Sequence, residues 1–259
     1  MTGRGGFSLV FRTDDPAVAV KIFALPRGGT AEDAARFTGD VRTLSACEHP
    51  HWLRIFGGGG EEDFAWLAME WLPEGSLAAR GRLGEKEALH AAAQIADALV
   101  AAHACGLQHR HLSIGECLLA DAHSVKVSGF AEAALYARAG LELGTVWGRL
   151  SCAPPERFFE EPEDARSEIY ALGAILFQLL TGDLPYEGEM LPELFVERRE
   201  GPPPRVRDYD PAIREATAAL VDRMLAIDPQ ERFSSWEETA EVLEEAARPT
   251  AAASPRRTR

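Results

Sequence analysis

Cysteine is scarce in this sequence. The four present, at positions 47, 105, 117 and 152, form no CxxC pair and have no histidine at metal-ligand spacing. That pattern argues against both a disulfide framework and a zinc site, and the thiols are expected to be reduced and intracellular. A secretory leader is absent from the opening residues. The longest apolar run, IYALGAILFQLL at 169–180, is too short to cross a bilayer and fits a buried helix. Positive charge is also in short supply, with 27 Lys and Arg against 41 Asp and Glu and a net charge of −14. So acidic a body is a poor partner for nucleic acid or an anionic membrane, both of which are polyanions. The expectation is a cytoplasmic protein with no nucleic-acid partner and no membrane insertion. What basic charge stands apart lies at the end, where RPTAAASPRRTR holds four arginines and no acid. Residues 248–259 are therefore read as a disordered basic tail, the other reading being contact with an acidic partner. No internal repeat is visible.

What is present is a chain of 259 residues, 46% hydrophobic, long enough for one large domain or two lobes sharing a cleft. VAVKIF (18–23) alternates like a strand, and RFTGDVRTLSA (36–46) has helical spacing. WLRIF (52–56) and DFAWLAMEWL (63–72) read as a hairpin whose turn is the intervening GGGGEE, with a phosphate nest as the alternative for the glycines. The character changes from residue 74. GEKEALHAAAQIADALVAAHACG (84–106) predicts a long amphipathic helix closed by Gly106. CLLA (117–120) and SVKV (124–127) are short strands, followed by a loop of about thirty residues and then helices up to about residue 247. The expected class is α+β, a small β-rich lobe (1–71) joined by residues 72–76 to a larger helical lobe (77–247).

Several motifs stand in a fixed order. Gly3-x-Gly5, followed by Phe7, Ser8 and Val10, is a glycine loop between strands, and Lys21 of VAVK stands eleven residues beyond Val10. Glycines let backbone amides approach phosphates, and a lysine ammonium neutralises phosphate oxygens. Next come a helix, MEWL, HR-x-L, VKVSGFAEA, PPE, SEIYALG, LTGDLPY and DPQERF. This order resembles the eukaryotic-like Ser/Thr protein kinase family from Gly3 to about residue 247. The resemblance implies a bilobal kinase fold and assigns roles by position. Gly3, Gly5 and Val10 would roof the nucleotide, and Ala19 and Leu118 would sandwich the adenine. Met69 would be the gatekeeper, with Glu70 and Leu72 offering backbone groups. Lys21 would meet the α- and β-phosphates and pair with an acid on the following helix, here Asp40. Leu44, His109 and Phe130 would form the hydrophobic spine, and Glu156 and Arg232 a structural ion pair. By the same comparison the first strand is truncated, since only Met1 and Thr2 precede Gly3. Either the true start lies upstream or the sheet is shortened.

The departures from the family fall on its chemistry. His111 replaces the aspartate of HRD that accepts the substrate proton, and Ser113 replaces a lysine two places on. Glu116 replaces the asparagine that binds magnesium, and Gly129 replaces the aspartate of DFG, leaving Gly129-Phe130-Ala131. Ser8 stands for the third loop glycine, and Glu168 for the aspartate of the following helix. A general base alone is typically worth ~10²–10⁴ in rate, and here metal ligation is damaged as well. Catalytic residues are therefore not expected, nor a metal site. His111 filling the aspartate's space, Glu116 facing solvent and Glu132 lying on a loop surface is one reading; His111 as base, with Glu116 and Glu132 on magnesium, is the other.

The first reading makes the chain a pseudokinase, regulatory or scaffolding, with a protein partner such as an active kinase or its substrate. It would take ATP or ADP without magnesium, with Lys21 as the phosphate contact; otherwise Lys21 serves only to bridge Asp40. The rival is a Ser/Thr kinase that uses His111 and Glu116. The segment 129–156 is the candidate switch, with Tyr136, Thr145 and Ser151 as modifiable hydroxyls and Arg110 as a phosphate receiver. Ser254 and Thr258 in the tail are further candidates.

Overall fold

The computed structural model describes residues 3–4, 8–24, 31–61, 64–130, 132, 150, 152–159, 161–186, 188 and 191–248. The small lobe is an antiparallel sheet of β1 (Gly3–Arg4), β2 (Ser8–Arg12), β3 (Val18–Ala24), β4 (Ile55–Gly60) and β5 (Phe64–Glu70), in the order β1-β2-β3-β5-β4. The period of two in β3 turns Ala19, Lys21 and Phe23 to one face. There Phe23 meets Phe37 of α1 (Ala31–Ala46) edge to face, with ring centroids 6.3 Å apart. Val41 and Leu44, three residues apart on the same helix, extend that buried face. Gly3 pairs with Val10 in the described part of the first strand, while Gly5 lies outside the described residues.

The hairpin is present, but its glycines are not the turn. Gly57 to Gly60 lie within β4 and pair with Ala68 to Ala65 of β5, and the turn comes after Gly60. The physical reason is space. A Cβ at Gly58 would sit 2.5 Å from the Trp66 carbonyl oxygen and 3.2 Å from Cγ1 of Val41, so α1 crosses this strand too closely for a side chain.

The large lobe is built on helices. The sequence-read helix is α2 (Glu85–Ala104), followed by Gly106 at φ +72°, a left-handed position suited to glycine. Two short strands, β6 (Cys117–Leu119) and β7 (Val125–Val127), form a separate ribbon beneath the small lobe. After them come α3 (Pro155–Phe158), α4 (Ala165–Thr181), α5 (Leu191–Glu200), α6 (Val206–Tyr209), α7 (Glu215–Met224) and α8 (Trp236–Ala247). The apolar segment read as a buried helix lies in α4, which begins on an Asp164–Ser167 capping box and ends at Gly182 with φ +90°. It is buried on all sides, between α2 and α7. Among the described residues no helix is long and apolar enough to cross a membrane.

The lobes meet at the segment after α1. Trp52 Nε1 donates to the Ala98 carbonyl of α2 at 2.8 Å. The Leu53 N–H donates to the Val127 carbonyl at 2.9 Å, and the Val127 N–H donates to that of His51 at 2.8 Å. These bonds satisfy backbone groups of the short ribbon from above, so the small lobe is hydrogen-bonded to the floor of the cleft.

Candidate functional site

Between the lobes lies a cavity of about 240 Å³, lined by residues of both. A larger hollow of about 650 Å³ opens beside Arg80, Glu87 and His90 of the large lobe, away from every motif residue. The cleft is the better candidate because the motif residues converge there. Val10 and Lys21 come from adjacent strands at paired register, Met69 and Glu70 end β5, and Leu72 follows. Leu118 rises from the ribbon, and Leu44 and Phe130 close the back. Ala19 is fully buried and pairs with Met69 in the sheet, but it does not line the cavity.

At the connection between lobes, the Glu70 N–H donates to the Arg54 carbonyl at 2.9 Å. What Glu70 can present to a ligand is therefore its carbonyl. Its side chain accepts from the Arg54 N–H at 2.7 Å and from Lys126 at 2.6 Å, tying this connection to β7. The spine positions are stacked and buried: the His109 and Phe130 rings lie 5.0 Å apart, and Trp52 adds a third ring 5.5 Å from Phe130. Nε2 of His109 is hydrogen-bonded to the Ser128 carbonyl at 2.7 Å, which makes that nitrogen the protonated one.

The structure redistributes the charges expected here. Lys21 is ion-paired and hydrogen-bonded to Glu132, and Glu132 is almost wholly buried, not on a loop surface. Asp40 stands on α1, and its side chain lies outside the described residues. Glu116 is likewise buried, not turned to solvent, and its Oε2 accepts from the Ser128 hydroxyl at 2.6 Å. It fits because position 129 is a glycine. At φ +93°, a Cβ on Gly129 would lie 3.0 Å from Glu116 Oε2 and 3.2 Å from the His109 ring. The longer acid at 116 thus occupies room that a side chain at 129 would need.

His111 is half-buried, and its Nδ1 lies 3.4 Å from Nη1 of Arg157. A guanidinium can only donate, so Nδ1 is an acceptor there. Arg157 also donates to the Arg110 carbonyl and pairs with both oxygens of Glu163, at 2.8 and 2.6 Å. Ser113 is buried. Among the described residues no group of three or more His, Cys, Asp or Glu could hold a metal ion. Tyr136, Thr145, Ser151, Ala131 and residues 249–259 of the tail, with Ser254 and Thr258, lie outside the described residues.

Below the cleft, Glu168 accepts from the Arg110 N–H at 2.6 Å and bonds His103 at 3.0 Å. Burial pushes its carboxyl up, but the bonds from His103 and from the Arg110 N–H outweigh it and hold the group below the usual range. Arg110 is held at φ +60°, a costly conformation for a residue with a Cβ. Arg232 meets both oxygens of Glu156, at 2.7 and 2.9 Å, and donates to the carbonyls of Ala226, Arg166 and Ile227. Neither Trp52 nor Arg157 was marked by any motif. The pairing of Lys21 with Glu132, 111 residues away, has no signal in sequence spacing.

Comparison with known proteins agrees with this architecture. The sequence matches the protein kinase domain family over residues 1–245. It is 29% identical over 251 residues to the serine/threonine-protein kinase PrkC of Bacillus subtilis, covering 93% of this chain and 38% of that protein. It is 31% identical over 249 residues to Pkn1 of Myxococcus xanthus, covering 90% of this chain and 35% of the relative. The chain thus spans less than half the length of these curated relatives. Among solved structures, the kinase domain of Mycobacterium tuberculosis PknI superimposes with a TM-score of 0.71 at 22% identity, covering 95% of this chain and 93% of that one. Rad53 1–466 in complex with AMP-PNP does so with a TM-score of 0.74 at 24% identity, covering 92% and 62%. At such identities the two structures speak for the fold alone. With a five-stranded small lobe, a helical large lobe, the motif residues gathered at the cleft between them and a family match along nearly its whole length, the chain belongs to the eukaryotic-like Ser/Thr protein kinase family.

Proposed function

We propose that this chain is a pseudokinase, a kinase-shaped regulatory or scaffolding protein that contacts another protein and does not transfer phosphate. One observation carries the reading. Gly129 stands where the family places a metal carboxylate, and the buried Glu116 carboxylate fills the space beside it, 3.0 Å from where a Cβ would be. Phosphoryl transfer depends on positioning and fixed charge around the phosphates, and metal ions supply much of that charge. Magnesium needs oxygen ligands turned toward it. Here Glu116 is hydrogen-bonded to Ser128, Glu132 is paired with Lys21, and Gly129 offers no side chain. The residues present do not fit the family's magnesium.

The apolar part of the cleft fits an adenine ring. Val10 and Leu118 would hold its faces, Met69 its inner edge, and the backbone from Glu70 to Leu72 its polar edge. Lys21 would meet the phosphates only after giving up Glu132, which competes for the same ammonium. ATP or ADP is therefore a weak ligand that needs no magnesium, and the partner read-out is a protein, an active kinase or its substrate.

Thermal shift with ATP or ADP, in magnesium and in EDTA, tests this directly, because a ligand of the native state alone raises the midpoint by mass action. The expected rise persists in EDTA, disappears in Lys21→Ala and grows in Glu132→Gln, which binds about tenfold tighter, equivalent to ~1.4 kcal/mol. No labelled phosphate reaches the chain itself or a general protein substrate. Magnesium-dependent transfer that is lost in Glu116→Ala would instead establish a working kinase using His111 and Glu116. Absence of any midpoint shift would remove nucleotide from the proposal and leave the binding surface.

A further inference from the structure

Two of the four cysteines meet where the lobes join. Cys47 directly follows α1 of the small lobe, and Cys105 caps the end of α2 in the large lobe. They are 58 residues apart in sequence, yet their Sγ atoms are 3.7 Å apart. Both are free thiols, Cys105 exposed and Cys47 half-buried. A disulfide bond is about 2.05 Å long, so the sulfurs need to approach by about 1.7 Å, within reach of side-chain rotation and a small backbone shift. The surroundings hold the pair together. Trp52 is bonded to Ala98 of α2 at 2.8 Å, and His49 lies 3.4 Å from the Asp97 carboxylate on the same helix. The end of α1 is thus kept against the end of α2 in the reduced protein.

We propose that Cys47 and Cys105 form a redox site, in which a hydroperoxide converts the two thiols to a reversible disulfide that fastens the small lobe's helix to the large lobe. The chemistry balances in two steps. The Cys105 thiolate attacks hydrogen peroxide, its sulfur forms an S–O bond, the O–O bond breaks and hydroxide leaves. The Cys47 sulfur then attacks the resulting sulfenic acid, the S–O bond breaks, and the Cys47 proton and the sulfenic OH leave as water. In all, two electrons pass from the two sulfurs to the two peroxide oxygens. Exposure assigns the first step to Cys105. The hydrogen bond with Cys105, followed by burial, raises the Cys47 thiol, which keeps it protonated until the sulfenic acid arrives. Cys117 and Cys152 serve as an internal control. Both are buried, and burial raises the Cys117 thiol well above its ordinary value.

The link would bear on the cleft, because α1 also carries Leu44, part of the cavity wall. Closing a loop of this length also restricts the unfolded chain, so the oxidised form should melt at a higher temperature. In the test, the reduced chain is treated with a small excess of hydrogen peroxide, alkylated, digested and mapped. The expected product is one intramolecular link between the Cys47 and Cys105 peptides, with alkylatable thiols falling from four to two. Its melting midpoint rises, and dithiothreitol reverses both changes. Cys47→Ser and Cys105→Ser each lose the link and the rise, while the reduced forms melt as the parent does. Separate Cys47 and Cys105 peptides after peroxide, over-oxidised or joined between molecules, would overturn the proposal. So would a link that leaves the midpoint unmoved. The mapping uses the unmodified chain, so a variant that fails to fold does not spoil it.

Discussion

Among the described residues, four buried glutamates mark two regions of the molecule. Glu156 and Glu168 belong to the frame of the large lobe; Glu116 and Glu132 belong to the cleft. In the frame each carboxylate meets donors brought from other elements. Arg232 gives Glu156 a two-point pair and satisfies its remaining N–H groups on three carbonyls, while Ser167 adds a bond at 2.9 Å. Glu168 holds the Arg110 backbone in its unfavourable conformation. In the cleft the carboxylates are satisfied by what the changed residues left behind: Glu116 fills the room beside Gly129, and Glu132 takes the lysine. All four are buried, but the consequences differ. The frame's acids brace the large lobe from within, whereas the cleft's acids face the cavity between the lobes, where Glu132 holds Lys21 across 111 residues of sequence. The shape of the fold and the chemistry of its cleft can therefore change separately.

The contrast can be broken at its strong end first. Arg232→Ala removes one side of a buried pair and strands Glu156, so urea unfolding should show a loss of about 3–5 kcal/mol. A loss under about 1 kcal/mol would mean that the frame does not depend on that pair. A smaller effect is expected in the cleft. Gly129→Asp forces a side chain against Glu116 and should cost about 1–3 kcal/mol. Adding Glu116→Asn should restore much of this, with a coupling of about 0.5–3 kcal/mol between the two sites. Equal costs with and without the second change would show that positions 116 and 129 are independent.

The smallest effect concerns pH. Glu168 has a carboxyl below its ordinary value of 4.5 in the folded chain, so its stabilisation is present above that value and is lost as pH falls through the folded one. Glu168→Gln should thus be less stable than the parent by about 1 kcal/mol near pH 6. The gap should narrow in unfolding curves taken at successively lower pH below 4.5. A gap that widened toward acid would reverse the assignment.

Legibility followed the range of the interaction. Strand β3, helix α2 and the buried α4 lie where periodicity and flanking residues put them, because local backbone preferences agree with burial there. The glycine run reads as a turn because it sits between two strands of matched character and glycine takes positive φ readily. Its place in β4 follows from α1 lying against it, a contact no short window contains. In the site, Lys21, Glu116 and Gly129 could be named from motif spacing, but the buried roles of Glu116 and Glu132 could not. Nothing beside either residue marks its partner.

The sequence by itself determined the bilobal fold and which family residues are absent, since residue identity and the order of motifs are properties of the linear chain. Only the tertiary structure decided that Lys21 is held by Glu132, that Glu116 turns inward beside Gly129, and that two distant thiols touch. The physical reason is that these contacts join segments from 12 to 111 residues apart. Which of them form is set by how closely the backbones approach once both lobes have packed.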